Sequence, residues 1–272
     1  MKYVLFLDIL GFKDRLKRLD QPTAKSFITN FSSEIYDLWS GNPKYENNLY
    51  GYIVSDSLII STKDTTMQSL DALLDAAVSI CQIEFAKNSI LLRGAIAKGE
   101  FDKLEAKELK TLGKGLIVGQ AYVDAYLLEG TVKTIGIVLS QDVYSDFNEI
   151  DSANDYAITE ETVSGQKSYI LQYLSIDFIM NTENLVKFTE LARNAQWLPH
   201  YYNALYIAMK NESANKADHV FNNIISIINK DKPSEHWSEL DSFIQNIFTD
   251  GVITNCQRRF LRFIRNRIII EN

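Results

Sequence analysis

Phe6-Leu7-Asp8-Ile9-Leu10-Gly11-Phe12 opens the chain with an apolar run that carries one carboxylate. Residues 3–7 are continuously apolar, the pattern of a strand buried on both faces. Asp8 stands at the end of that run, and Gly11 follows three positions later. A carboxylate is not buried without something to compensate it. The end of this strand is therefore the place to look for chemistry, and the glycine lets the backbone approach a ligand without a side chain in the way.

Outward from this strand, residues 22–39 have helical spacing, with Phe27, Phe31, Ile35 and Leu38 on one face. Pro22 suits the first turn, and Gly41, Asn42 and Pro43 end the helix. Residues 49–54 and 58–61 read as two strands joined by the polar hinge Ser55-Asp56-Ser57. Residues 65–85 form a second helix that buries Leu70, Leu73, Leu74, Ala77, Ile80 and Cys81. A buried strand over 90–97 carries Arg93. A helix over 120–129, a strand over 135–139 and a strand over 169–174 follow. The order β-α-β-β-α-β with a further α-β predicts an α+β fold, the ferredoxin-like split arrangement with an antiparallel-rich sheet. Its helices are expected on one face, which leaves the other face for added elements or a second subunit. From about residue 185 strand signals vanish, and helices are expected over 185–198, 202–209, 217–228, 238–248 and 252–267. The expected domains are 1–180 and a helical region, 181–272.

In this topology the first strand lies beside the hairpin, so Asp8 and Asp56 meet at one end of the sheet. Two neighbouring carboxylates resist ionising together. A divalent cation resolves that conflict, and hard oxygen ligands suit Mg²⁺ or Mn²⁺, with phosphate oxygens completing the shell. The plainer alternative is that Asp8 caps the turn before a helix starting near Phe12, while Ser55-Asp56-Ser57 is an ordinary hairpin turn.

Four stretches together resemble the class III nucleotidyl cyclases. Phe6-Leu7-Asp8-Ile9-Leu10-Gly11-Phe12 is similar to the first metal motif of that family, and Ser55-Asp56 to the second, commonly Gly-Asp. Arg93 to Glu100 resembles its R-x-G-I strand, and Gly119 to Glu129 its G-x-x-V-N-x-A-x-R-L-E helix. The resemblance implies a catalytic domain in which Asp8, Ile9 and Asp56 surround two Mg²⁺ or Mn²⁺ ions on a nucleoside triphosphate. The ribose 3′-hydroxyl attacks the α-phosphorus and pyrophosphate leaves. It implies a homodimer with active sites between subunits, and the backbone of Ile9, Leu10, Gly11 and Phe12 as phosphate donors.

The departures from the family pattern point to one branch. Tyr52 stands where adenylyl cyclases place a base-reading lysine, and Leu116 where they place its aspartate partner. Val123 and Leu127 replace the helix asparagine and arginine. Arg93, Lys98, Lys114 and Lys167 are the candidates for the missing cation, with Arg93 preferred; its plain alternative is an ion pair at the sheet. These features resemble the pyrimidine cyclases of bacterial anti-phage signalling, the Pycsar type. The resemblance implies UTP or CTP as substrate and a separate effector that responds to the cyclic nucleotide. Tyr50 and Tyr52, on one face of a strand, are candidates for accepting the smaller base. Ordinary cross-strand packing is their plain alternative.

Composition narrows the remaining classes. A net charge of −7 argues against the broad basic surface of sequence-independent DNA binding. The two cysteines, Cys81 and Cys256, lie in apolar helical pattern and fit a reducing cytoplasm. No signal-peptide layout and no membrane-spanning run is expected. His200, His219 and His236 lack metal-ligand spacing, Gly113-Lys114-Gly115 reads as a turn, and the basic stretch 257–267 as a solvated helix. Two other functions share the fold. One is a palm-type synthase of cyclic di- or oligonucleotides, disfavoured because the hairpin lacks a G-G-D-[DE] turn. The other is a catalytically degenerate nucleotide-binding or interaction module.

Overall fold

The structure is a computed structural model that describes residues 1–104, 116–132, 134–163, 166–194 and 198–209, with scattered positions between 212 and 223. The helices expected beyond residue 223, His236, Cys256, the 257–267 stretch and Gly113-Lys114-Gly115 lie outside the described residues. So does most of the helix expected over 217–228.

Strand β1 (Lys2–Ile9) leads through α1 (Phe12–Leu16) into α2 (Gln21–Trp39). Asp20 caps α2 by accepting from the Thr23 amide at 2.9 Å, and Phe27, Phe31 and Ile35 are buried four residues apart. Pro43 does not merely stop this helix. Asn42 caps a further one, α3 (Pro43–Asn48), whose first turn tolerates a proline. Strands β2 (Leu49–Val54) and β3 (Ser57–Thr62) form the hairpin, and α4 (Met67–Ile83) buries the six residues that its spacing marks. A π-helical turn, Glu84–Asn88, joins α4 to β4 (Leu92–Gly99). A short ribbon follows, β5 (Asp102–Leu104) with β6 (Leu116–Val118), then α5 (Gln120–Glu129) and β7 (Ile137–Leu139). Helix α6 (Gln141–Phe147) and the hairpin β8 (Ala157–Val163) and β9 (Gln166–Gln172) complete this unit.

The main sheet runs β2-β3-β1-β4-β7-β9-β8, antiparallel except for the parallel β4–β7 pair. Its first four strands have the ferredoxin-like order, with β1 at the centre of the group, so the fold is the α+β arrangement that the element order predicts. The helices, however, are not confined to one face. Even-numbered residues of β1 point to α5: Val4 and Phe6 pack with Ile59, Ala97, Phe101, Ala121 and Ala125. Helices α4 and α6 serve the opposite face, where Tyr3 donates through its hydroxyl to Asp146 of α6 at 2.8 Å. A helix of ten residues whose inward stripe is alanine lies close enough to occupy part of the face expected to be bare.

The chain divides into two compact units, the first formed by residues 1–132 and 136–173. The described part of the second contains α7 (Ile176–Met180), α8 (Thr182–Asn194) and α9 (Leu198–Met209), with Leu185, Phe188 and Leu205 buried. Among the described residues no helix is long and apolar enough to cross a membrane.

Candidate active site

Strand register builds the site. On the α5 side of the sheet, Val54, Ser57, Asp8 and Arg93 form one row across β2, β3, β1 and β4. The next row is Tyr52, Ile59, Phe6 and Ala95, and the third is Tyr50, Ser61, Val4 and Ala97. The polar row is the last on this side of the sheet before β1 and β4 end at the Ile9–Leu92 pair. Asp56 sits just beyond it in the two-residue hairpin loop, where its carbonyl accepts from the Ile9 amide at 3.1 Å. Ser55 takes φ 59°, a left-handed conformation that glycine adopts more readily. Gly94 is required for β4 to lie against β1. A Cβ there would stand 2.2 Å from the Phe6 carbonyl oxygen.

One guanidinium serves two carboxyl groups. Arg93 Nε pairs with Glu129 Oε1 at the last residue of α5, and its Nη2 stands 3.9 Å from Asp8 Oδ2. Ser57 Oγ donates to Asp8 Oδ1 at 3.3 Å. Burial, with the Asp56 charge added, pushes the Asp8 carboxyl up to about 6, against the opposing pull of Arg93 and Ser57. Burial also raises Glu129, and Arg93 opposes it. Asp8 and Asp56 thus interact at one sheet end, as the topology predicts. Glu129 completes the charged group. It is missing from the candidates drawn from sequence, although it continues the buried Ala121–Ala125 stripe at four-residue spacing, where an apolar residue is the ordinary choice.

The two tyrosines share the site's side of the sheet. The Tyr52 ring lies 6.4 Å from that of Phe101, and Lys103 Nζ stands 5.0 Å from its centroid. Tyr50 lies one row further from the carboxylates, with Lys63 Nζ 5.2 Å from its ring. Around them the surface is apolar. Leu127 is 63% exposed and Val123 44%, and Tyr126, Leu104, Leu116 and Val118 are exposed too.

Other expected residues stand elsewhere. Lys98 is not at this site. It lies five residues along β4 from Arg93, roughly 17 Å at strand spacing, on the opposite face, paired with Asp146 at 2.6 Å. An odd offset along a strand reverses the face, which the apolar run over 90–97 conceals. Lys167 pairs with Glu160 on the β8–β9 hairpin, three strands from β1. The amides of Ile9 and Leu10 are taken up by the carbonyls of Asp56 and Leu91, at 3.1 and 2.9 Å, so these two are not phosphate donors. The Ile9 side chain is buried and offers no ligand atom. Gly11, at φ 75°, turns the chain into α1, and the Phe12 ring stacks on Phe27.

Among the described residues no three His, Cys, Asp or Glu side chains cluster as a self-contained metal site. The donor set that is present suits a different kind of binding. Two neighbouring carboxylates, one held back from ionising by burial and by the other's charge, fit a hard divalent cation that completes its shell with water and phosphate oxygens.

No protein-family model and no curated protein matches this chain. Solved structures with a similar fold include the adenylyl cyclase CyaB from P. aeruginosa, at 15% identity over 62% of this chain and 92% of that one, with a TM-score of 0.48. The non-canonical dimeric guanylyl cyclase domain of the RhoGC fusion protein from Blastocladiella emersonii is similar at 17% identity, 62% and 92% coverage, and a TM-score of 0.46. The guanylate cyclase domain of RhGC from Catenaria anguillulae, in complex with GTP, is similar at 17% identity, 63% and 95% coverage, and a TM-score of 0.44.

Proposed function

We propose that the chain is a nucleotidyl cyclase that converts a nucleoside triphosphate into a 3′,5′-cyclic nucleotide and pyrophosphate. One observation carries the reading: Asp8 at the end of β1 and Asp56 in the β2–β3 loop, from separate motifs, interact at the end of the sheet beside Arg93. In this reading Asp8 and Asp56 hold two Mg²⁺ or Mn²⁺ ions. The ions, when bound, neutralise the phosphates and lower the pKa of the attacking hydroxyl. Arg93 supplies the positive charge that Leu127 cannot, facing the phosphates at the polar row. Gly11 and Phe12 bring the start of α1 beside them. The catalytic domain is residues 1–180, and 181–272 is its helical appendage.

Two further parts belong to the same proposal. The substrate is a pyrimidine triphosphate, UTP or CTP, because Tyr52 and Leu116 remove the donor and acceptor that adenine needs. Tyr52, with Tyr50 behind it, forms the wall for the base. The working form is a homodimer, because the exposed apolar residues of α5 and the β5–β6 ribbon flank the site on the surface that a second copy would cover. The product is a cytoplasmic second messenger for a separate effector, as in anti-phage signalling.

A specific observation keeps a second reading in play. Val123 and Leu127 present apolar side chains where a catalytic helix needs polar ones, as in a degenerate nucleotide-binding module. Mass spectrometry of the products from ATP, GTP, CTP and UTP with Mn²⁺ separates the readings. A cyclic mononucleotide from UTP or CTP, absent with Asp56→Ala, is the expected result. Linked dinucleotides would indicate the palm-type synthase, and absence of product from all four would leave the degenerate module.

A further inference from the structure

Helix α5 turns one stripe to the sheet: Ala121, Ala125 and Glu129. The two alanines seat the helix against β1 and β4, and Ala121 lies so near that a Cβ on Gly99 would come within 3.2 Å of its amide nitrogen. The stripe then ends in a carboxylate that is 8% exposed and meets Arg93 Nε. A pair this buried is a poor way to stabilise a helix on a sheet. Desolvating both charges offsets most of their attraction, and a well-packed apolar pair of similar volume usually does as well or better. The pairing calls for another reason, and its geometry supplies one. A guanidinium is a planar fork with five donors. With Nε paired to Glu129, Arg93 directs its Nη end to the polar row, where Nη2 is 3.9 Å from Asp8 Oδ2.

We propose that Glu129 is the positioning residue for Arg93: it grips the guanidinium from α5 and aims its Nη end at the polyphosphate of the bound nucleotide beside Asp8 and Asp56. This deepens the cyclase reading and rests on it for the identity of the ligand. Because α5 also carries the exposed Val123, Tyr126 and Leu127, whatever covers that outer face bears on the helix that holds Arg93.

The test pairs turnover with binding in the full chain. The probes are the four nucleoside triphosphates for turnover and their α,β-methylene analogues, with Mn²⁺, for calorimetric binding. Glu129→Leu is expected to bind the preferred analogue at least 10-fold more weakly, while binding of the matching nucleoside stays within 2-fold. Its kcat/KM falls by 10-fold or more, and its melting temperature stays near that of the wild type. Glu129→Asp restores part of the triphosphate binding and Glu129→Gln less, since charge and reach both matter to the grip. A folded Glu129→Leu variant with wild-type analogue binding overturns the proposal. So does an equal loss for nucleoside and triphosphate, the mark of a general structural defect. If Glu129→Leu does not fold, Glu129→Gln decides by the same ratio. Wild-type protein that binds the analogue yet makes no product overturns the cyclase reading alone, and the binding ratio still judges Glu129. Wild-type protein that binds none of the four overturns both.

Discussion

Glu84 is a carboxyl group with no exposed surface, set at the first residue of the π-helical turn between α4 and β4. Asn88 Nδ2 donates to its Oε2 at 2.9 Å, while among the described residues no hydrogen bond reaches Oε1. Burial pushes this carboxyl up from 4.5 to about 7, with Asn88 opposing and Glu34 reinforcing the rise. The unfolded chain releases the proton near the ordinary value, and the folded chain keeps it until about 7. The folded state therefore binds more protons between those limits, and stability falls as pH rises through them. Glu84→Gln abolishes that loss. Its thermal stability relative to wild type is expected to improve from pH 5 to pH 8, by up to about 3 kcal/mol. Melting curves at the two pH values check this, and a gap that does not grow with pH sinks it. Asp8 is also raised chiefly by burial, but there a second carboxylate, Asp56, adds to the rise and Arg93 opposes it. The same perturbation marks a structural residue in one place and a candidate ligand in the other, and only the neighbours separate them.

At the scale of elements, β4 does most to assemble the site. It pairs with β1 along its length and carries Arg93 opposite Asp8. Gly94, the next residue, faces away from α5, where a methyl group would collide with the Phe6 carbonyl oxygen and with Leu7 Cδ2 at 2.6 Å. Gly94→Ala must push the central strands apart. Overpacking of this kind costs about 1–3 kcal/mol, or on the order of several degrees in melting temperature for a unit of this size. Because the displaced residue adjoins Arg93, nucleotide binding should weaken along with stability. Differential scanning calorimetry with nucleotide titration tests both, and an unchanged melting temperature would contradict the close packing. Helix α5 is the second element of the site. Its inner stripe supports Arg93 through Glu129, while its outer residues face away from the sheet.

At the scale of the molecule, an exposed apolar surface lies beside the site. Tyr126 stacks edge-on against Phe6 at 5.3 Å, yet half of it and most of Leu127 remain exposed. Such a surface on a chain with net charge −7 favours a partner that shields apolar area. Leu127→Glu places a charge at its centre without touching the sheet. It is expected to convert a dimer to monomers in sedimentation experiments and to lower turnover by 10-fold or more while the melting temperature of the monomer is kept. Dimers that persist with full activity would place the contact elsewhere.

Local pattern alone determined much of this protein. Strand 49–54 and helix 120–129 are legible to the residue, because period-two and period-3.6 spacing arise from backbone geometry within the segment. The meeting of Asp8 and Asp56 was legible too, since the β-α-β-β order leaves few ways to place the hairpin. Helix α6 and strand β8 were not. One is short, and the other is a polar edge strand with little apolar alternation. Only the tertiary structure decided that α5 covers the face expected to be bare, that Lys98 leaves the site for Asp146, and that Glu129 holds Arg93. Each depends on which face of a strand a residue occupies and on what packs there. Those are relations between segments distant in the chain, and spacing within a segment carries no record of them.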